Sequence, residues 1–396
     1  ASLGLSTELL ERLRKALEDP GRKAAEGESE LLKAFRYAKN GILTVTILGL
    51  SGRCCSLDTS AAASTGELKA LVQDAVGMPV QQQRLIHDGC EMKDSLPLAS
   101  YGVSPWRASI SLVRVVSSKF YAVGGHDGDQ ALASAEVLDT CLERWVALPP
   151  MAGVRMHLAT AVLSGRLYAV GGCEVGRALD TAEVYDPDEG CWSALPCMST
   201  ARMHHAATAF GDKLYVVGGS GGSPGSAVIS SVEAYEPKSG AWQPMPPMSA
   251  RRMLLAAAAM EDRICVAGGR STGRALASAE AFDVAAGEWL PLPAMNYRRE
   301  SLAAAAMGRR FYAVGGHDAG HVQDTAEVLD SDTGTWSLLP ALATKRTSLG
   351  AAALGSKLYV FGGREELHTG SPLASVEVFD NSTGTWCPAA HMETCR

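Results

Sequence analysis

The sequence predicts a mainly β chain: six four-stranded units closed into a ring, a β-propeller, behind a small α+β domain and a short helical arm. Two observations carry this reading. One unit recurs six times in register, and all length variation between its copies falls in a single loop. Repeats of this length mark arrays or propellers, and insertions are tolerated in surface loops rather than in packed strands.

The unit is clearest from Arg155 to Met198, as Arg, an apolar run, Tyr-Ala-Val-Gly-Gly, a polar loop, Ala-Glu-Val, Trp and Pro-x-Met. The double glycines are Gly124/Gly125, Gly171/Gly172, Gly218/Gly219, Gly268/Gly269, Gly315/Gly316 and Gly362/Gly363. Glu136, Glu183, Glu233, Glu280, Glu327 and Glu377 follow them, then Trp145, Trp192, Trp242, Trp289, Trp336 and Trp386. Met151, Met198, Met248, Met295, Leu342 and Met392 come next, and each unit ends on Arg155, Arg202, Arg252, Arg299, Arg346 or Arg396. Only the step from the second Gly to Glu varies, being longer in the third and sixth copies. Each copy holds four short apolar segments, in the second copy His157 to Leu163, Arg166 to Gly172, Thr181 to Tyr185 and Trp192 to Leu195, which makes a four-stranded blade. Alanine runs such as Ala256 to Ala259 favour helix by propensity. Innermost strands crowd the axis and need small side chains, so the alanines fit a strand there.

With 396 residues the chain has room for two or three domains, and 46% apolar content suffices for cores. A net charge of -7 argues against nucleic acid or an acidic membrane surface as partner. Ten cysteines without CxxC or His/Cys ligand spacing fit a reduced, intracellular chain, cytoplasmic with the nucleus as alternative. The apolar run Ile42 to Leu50 is too short to span a bilayer. A start at Ala1 suggests that the native N-terminus lies upstream.

Residues 1–40 read as a helical arm. Ser6 can cap a helix striped by Leu9, Leu10, Leu13 and Leu17, and Asp19-Pro20-Gly21 stops it. Residues 41–116 change character. Leu43 to Leu48 alternates as a strand, Cys54 to Leu57 returns, Ser64/Thr65 open a helix, and Gln83 to Ile86 and Ile110 to Val116 are further strands. Gln81 to Gly89, Leu96 to Val103 and Ser109 to Val113 resemble the corresponding runs of ubiquitin, which implies a β-grasp fold over nearly the whole stretch. By that resemblance Leu50, Ile86 and Val113 match ubiquitin's apolar recognition patch. The final strand runs on into the chain, so no Gly-Gly tail is free for conjugation, and Cys90 stands where ubiquitin has its chain-building lysine. The resemblance implies an embedded ubiquitin-like domain that engages a ubiquitin-type receptor, and not a modifier.

Residues 117–396 carry the repeat, which resembles the kelch repeat in Gly-Gly, Glu, Trp, Pro-x-Met and Arg, with Leu342 for Met and Ile264-Cys265 as departures. The resemblance implies a six-bladed kelch-type propeller. In an antiparallel meander the variable loops and the Met-x-x-x-Arg segments lie on one face. That face is expected to present Arg155, Arg202, Arg252, Arg299 and Arg346, with His126, Arg270, His317 and Arg364 just after the glycines. Kelch proteins that resemble cullin-ligase adaptors contact peptides there, so these residues are the candidate partner site, electropositive and suited to an acidic segment. The alternative is that the repeated Arg holds the adjacent loop, the Glu serves packing or backbone bonds, and the Trp is inter-blade core.

The copper oxidase among kelch-type propellers would require His and Tyr ligands, and none recurs around His157, His204 and His205. The expectation is therefore a non-catalytic adaptor with no cofactor or metal, in ubiquitin-linked protein turnover. Its partners would be a protein on the loop face and a ubiquitin receptor or ligase component. Actin is the partner in the alternative reading of a cytoskeletal scaffold, and a propeller enzyme is the third. Residues 1–40 are too short for a BTB domain. Ile110 to Val116 is claimed by both domains, but Leu112 and Arg114 fall where every other inner strand is small, so the strand goes to the ubiquitin-like domain. The first blade is then expected to have three strands, and the native protein to continue past Arg396 with a closing strand.

Overall fold

The computed structural model describes residues 42–49, 52–60, 62–76, 83–88, 90–101, 103, 109–114, 119–139, 144–221, 227–260, 262–367 and 370–396. The helical arm and Leu50 lie outside them. The chain divides into two compact units, Ala1–Ser117 and Ser118–Arg396.

The first unit is one sheet and one helix. Strands β1 (Ile42–Gly49), β2 (Gly52–Ser60), β3 (Gln83–His87), β4 (Cys90–Glu91) and β5 (Ser109–Arg114) lie in the order β2-β1-β5-β3-β4. Helix α1 (Thr65–Val76) starts on a capping box. The Glu67 backbone N–H donates to Ser64 Oγ (3.2 Å), and Glu67 Oε2 accepts from the Ser64 N–H (2.7 Å) and hydroxyl (3.0 Å). Those bonds hold the Glu67 carboxyl below its ordinary range. Leu43, Val45 and Ile47 from alternate positions of β1 meet Leu68, Val72, Leu85 and Ile110 in the core. β5 runs parallel to β1, with Ile47 opposite Ile110, and antiparallel to β3, with Leu85 opposite Leu112. The strand claimed by two domains is thus committed on both edges to the grasp sheet.

Among its described residues the second unit holds six sheets of three or four strands in succession. The first has three strands, β6 (Lys119–Val123), β7 (Ala135–Asp139) and β8 (Arg144–Leu148). The second has four, β9 (Ala159–Leu163), β10 (Arg166–Val170), then, past a short hairpin of β11 (Cys173–Glu174) and β12 (Arg177–Ala178), β13 (Ala182–Asp186) and β14 (Cys191–Leu195). The remaining four sheets repeat this order. Their innermost strands, Ala206–Phe210, Ala256–Met260, Ala303–Met307 and Gly350–Leu354, lie beside one another. Ala206, Ala256, Ala258, Ala303 and Ala305 are buried there, so a small side chain and not helical propensity decides the position.

The second glycine of each pair shows why the pair is fixed. Gly172, Gly219, Gly269, Gly316 and Gly363 all have positive φ. A Cβ on any of them would lie 2.6–2.7 Å from a backbone carbonyl at the start of an inner strand, such as Met156 O against Gly172. At Gly125 the space is open except for Arg396 Cβ at 3.5 Å, because among the described residues the first sheet has no inner strand. Val162, on the neighbouring β9, is correspondingly 48% exposed.

The first sheet still packs against the sixth. Phe120, Leu138 and Trp145 share a core with Val376 and Met392, and Trp145 Nε1 donates to Ala390 O (3.2 Å). Strand β6, however, is paired among the described residues only with β7, so alternate amides face an unpaired edge. Hydrogen exchange should therefore be much faster at those amides than at Arg166–Val170, whose strand is paired on both sides. Equal protection of the two strands would contradict the open edge.

Candidate functional site

The repeated Arg and Glu form one motif per sheet. Arg299 Nε and Nη2 donate to Glu327 Oε1 (3.2 and 3.0 Å), and Nη1 donates to the carbonyls of Gly315 and Thr325 (both 2.8 Å). The second carboxylate oxygen accepts the Asn296 N–H (2.7 Å). The same pairing joins Arg155 to Glu183, Arg202 to Glu233, Arg252 to Glu280, Arg346 to Glu377 and Arg396 to Glu136. Burial alone would raise the Glu233 carboxyl, but hydrogen bonds from Arg202 and Ser199 outweigh it and hold it below its ordinary value. Burial pushes the Arg299 guanidinium down and Glu327 opposes that.

This corrects the expectation for Arg155, Arg202, Arg252, Arg299 and Arg346. They are 0–3% exposed, and their donors are spent on a carboxylate and on loop carbonyls. A guanidinium so committed cannot also reach a partner, and the chain surface gains no positive potential from it. The tryptophans tie successive sheets together, as where Trp336 Nε1 donates to Pro293 O (2.8 Å).

Two residues after each Arg, the chain enters the left-handed region at His157, His204, Leu254, Ser301 and Ser348. Their backbones bond sheet to sheet in an arc. His204 N–H donates to His157 O (3.1 Å), Leu254 to His204 (2.7 Å), Ser301 to Leu254 (2.9 Å) and Ser348 to Ser301 (2.9 Å). The variable loops join the same face through bridges such as Leu179 to Arg202 and Met253 to Arg270. The topological expectation that both sets of loops share a face therefore holds in the backbone.

Among the residues after the glycines, His317 is also internal. It is 8% exposed, its Nδ1 lies 2.9 Å from Thr347 Oγ1 and its Nε2 3.3 Å from Glu300 Oε1. Arg270 Nη1 lies 3.5 Å from Glu300 Oε2 and keeps 40% of its side chain exposed. Arg364 Nη2 lies 3.4 Å from His126 Nδ1, and both residues are partly exposed. Of the nine expected contacts on this face, His126, Arg270 and Arg364 remain accessible. The repeat pattern gave no sign of Arg251, Arg298 and Lys345, which immediately precede buried arginines and are exposed. The signal available was a charge one position before the repeated one.

The rings of His157 and His204 pack with centroids 4.1 Å apart, tilted by 42°. Burial lowers the pKa of His204 and of His205 to about 3. Among the described residues no group of three or more His, Cys, Asp or Glu could hold a metal ion. No described helix is long and apolar enough to cross a membrane.

In the first unit Ile86 is half-buried on β3, between buried Leu85 and His87. Val113 stands opposite Arg84 in the register of β5, two pairs from Ile86 opposite Ser111. Ile86 and Val113 thus occupy diagonal register positions on adjacent strands.

A mainly β repeat unit behind a grasp domain defines a class of binding proteins, and comparison with known families specifies it. Residues 204–394 match the KLHDC2/KLHL20/DRC7 Kelch-repeats domain, residues 112–152 and 155–199 match the Kelch motif, and residues 43–114 match the ubiquitin family. The chain is a kelch-repeat protein with an N-terminal ubiquitin-like domain. The two families overlap at residues 112–114, which the grasp sheet holds as the end of β5. Ubiquitin-like protein 4A of Rattus norvegicus and that of Mus musculus are each 36% identical over 63 residues, covering 16% of this chain and 40% of theirs. The Homo sapiens protein is 35% identical over the same length. The chain thus spans about two fifths of the curated relatives it matches.

Proposed function

We propose that the protein is a non-catalytic adaptor: the loop face of the repeats binds a protein segment, and the ubiquitin-like domain engages a ubiquitin-type receptor. One observation carries this reading. The repeated Arg and Glu of the loop face are consumed by the frame, while positions between them differ from sheet to sheet and several stay accessible, as His126, Arg270, Arg364, Arg251 and Lys345 do. A rigid frame that presents unlike side chains on one face is suited to selective binding of an irregular partner. The ubiquitin-like domain supplies the link to ubiquitin-dependent turnover, with the accessible part of Ile86 at the centre of its contact and Leu50 and Val113 completing it.

The test uses the full chain and an isolated receptor domain that binds ubiquitin's apolar patch. Binding should be measurable, and Ile86→Ala should weaken it tenfold or more while leaving the domain folded by NMR. A half-buried residue at the edge of a core loses little on truncation to Ala, while a central contact loses much. No binding by the unaltered chain would reject the receptor role. Unfolding on substitution would show Ile86 to be core.

A further inference from the structure

Arg251, Arg298 and Lys345 occupy the same position in three consecutive connections, each one residue before a buried arginine. All three are exposed, and no ion pair is formed by any of them among the described residues. In the other three connections that position holds Val154, Ala201 and Cys395, so the frame does not require a cation there. Each cation is three residues ahead of a member of the backbone arc, Leu254, Ser301 or Ser348, which are bonded to one another at 2.9 Å. The three therefore stand on adjacent spokes of one face. Arg270 and Arg364 flank them, and Tyr297, 42% exposed, lies beside Arg298. Glu300, two residues after Arg298, is 5% exposed and faces Arg270 and His317, and Asp318, Asp324, Glu365 and Glu366 are the other acidic residues of that sector's loops, while Asp127, Asp129, Glu174 and Asp180 lie in the loops of the first two sheets. In a chain of net charge -7, like charges gathered on one sector repel one another at a cost that an anionic ligand removes.

We propose that the third to fifth sheets form a basic sector that binds an anionic protein segment, one bearing clustered Asp/Glu or phosphorylated side chains. The inference rests on the loop-face reading above and relocates its charge from the buried arginines to Arg251, Arg298 and Lys345. Guanidinium and ammonium groups on adjacent spokes can each make a charge-assisted hydrogen bond to successive anionic side chains, and Tyr297 offers an apolar surface between them.

The experiment selects from two randomised decapeptide libraries on the immobilised full chain, one containing phosphoserine and one limited to unmodified residues. Selected peptides should be enriched in anionic residues, and the library they come from identifies carboxylate or phosphate as the source. Their affinity should fall steeply between low and physiological ionic strength. The triple variant Arg251→Glu, Lys345→Glu, Arg298→Glu should lose about tenfold or more in affinity. A charge-matched variant on the opposite turns, Arg166→Glu, Lys238→Glu, Arg309→Glu, should stay within about twofold, with circular dichroism confirming that both fold. Peptides selected without anionic enrichment, or indifferent to the triple variant, would overturn the basic sector and leave loop-face binding standing. Failure of both libraries to yield any binder would overturn both.

Discussion

Replacing Arg299 with Ala is expected to destabilise the repeat unit by about 3–5 kcal/mol, whereas the adjacent Arg298→Ala changes stability by less than about 0.5 kcal/mol. Arg299 and Glu327 are both fully buried, so truncation strands a carboxylate in the interior. It also orphans the carbonyls of Gly315 and Thr325, which accept from Arg299 Nη1 at 2.8 Å. Apolar replacement of both partners would not rescue the site, because Glu327 also accepts the backbone N–H groups of Asn296 (2.7 Å) and Tyr297 (3.1 Å). Denaturant titration followed by tryptophan fluorescence measures the difference. A loss of under 1 kcal/mol for Arg299→Ala would mean that water or rearrangement satisfies these groups, and the structural role assigned to the arginine ring would fall.

The contrast between two neighbouring arginines also shows what was legible in the sequence. Periodicity found the sheets because each copy must bury the same strands, and it found the shared face because strand order fixes where loops emerge. It also made Arg299 conspicuous. Repetition selects residues that serve the frame, however, so the very regularity that drew attention to the arginines marked them as internal. Arg251, Arg298 and Lys345 break the pattern, which is why periodicity does not mark them and why they are free to face solvent. Burial of a charge depends on where its partner sits, here Glu327, a residue of the next strand pair whose approach no local spacing shows. The grasp domain was easier to read, since Leu43, Val45 and Ile47 alternate with polar neighbours and the core follows from that alternation. In the same way, small residues at the inner strands decided the ownership of β5, because Leu112 and Arg114 do not suit that position.

Acidification from pH 7 to pH 5 should lower the stability of the repeat unit by about 2 kcal/mol through His205, with a contribution of the same order from His204. His205 is 6% exposed, and its pKa is lowered to about 3 first by burial and then by the Arg202 charge. In the unfolded chain the imidazole takes up a proton near its ordinary value of 6.5, while in the folded chain it stays neutral down to about 3. The unfolded state thus binds more protons throughout that window, and stability is present above pH 6.5 and lost progressively as pH falls towards 3. The remedy is written in the repeat itself. The position three residues after the buried arginine is His205 in this connection but Leu158, Leu255, Leu302 and Leu349 in the others. His205→Leu removes a buried imidazole at least one of whose nitrogens lacks a partner, so it should stabilise the unit by about 1–2 kcal/mol at pH 7 and remove about half of the acid sensitivity, His204 keeping the rest. Thermal or denaturant unfolding of the two proteins at pH 7 and pH 5 decides the matter. An unchanged pH dependence in His205→Leu would show that the imidazole is solvated in the folded chain, or that carboxylates rather than this histidine govern the acid response.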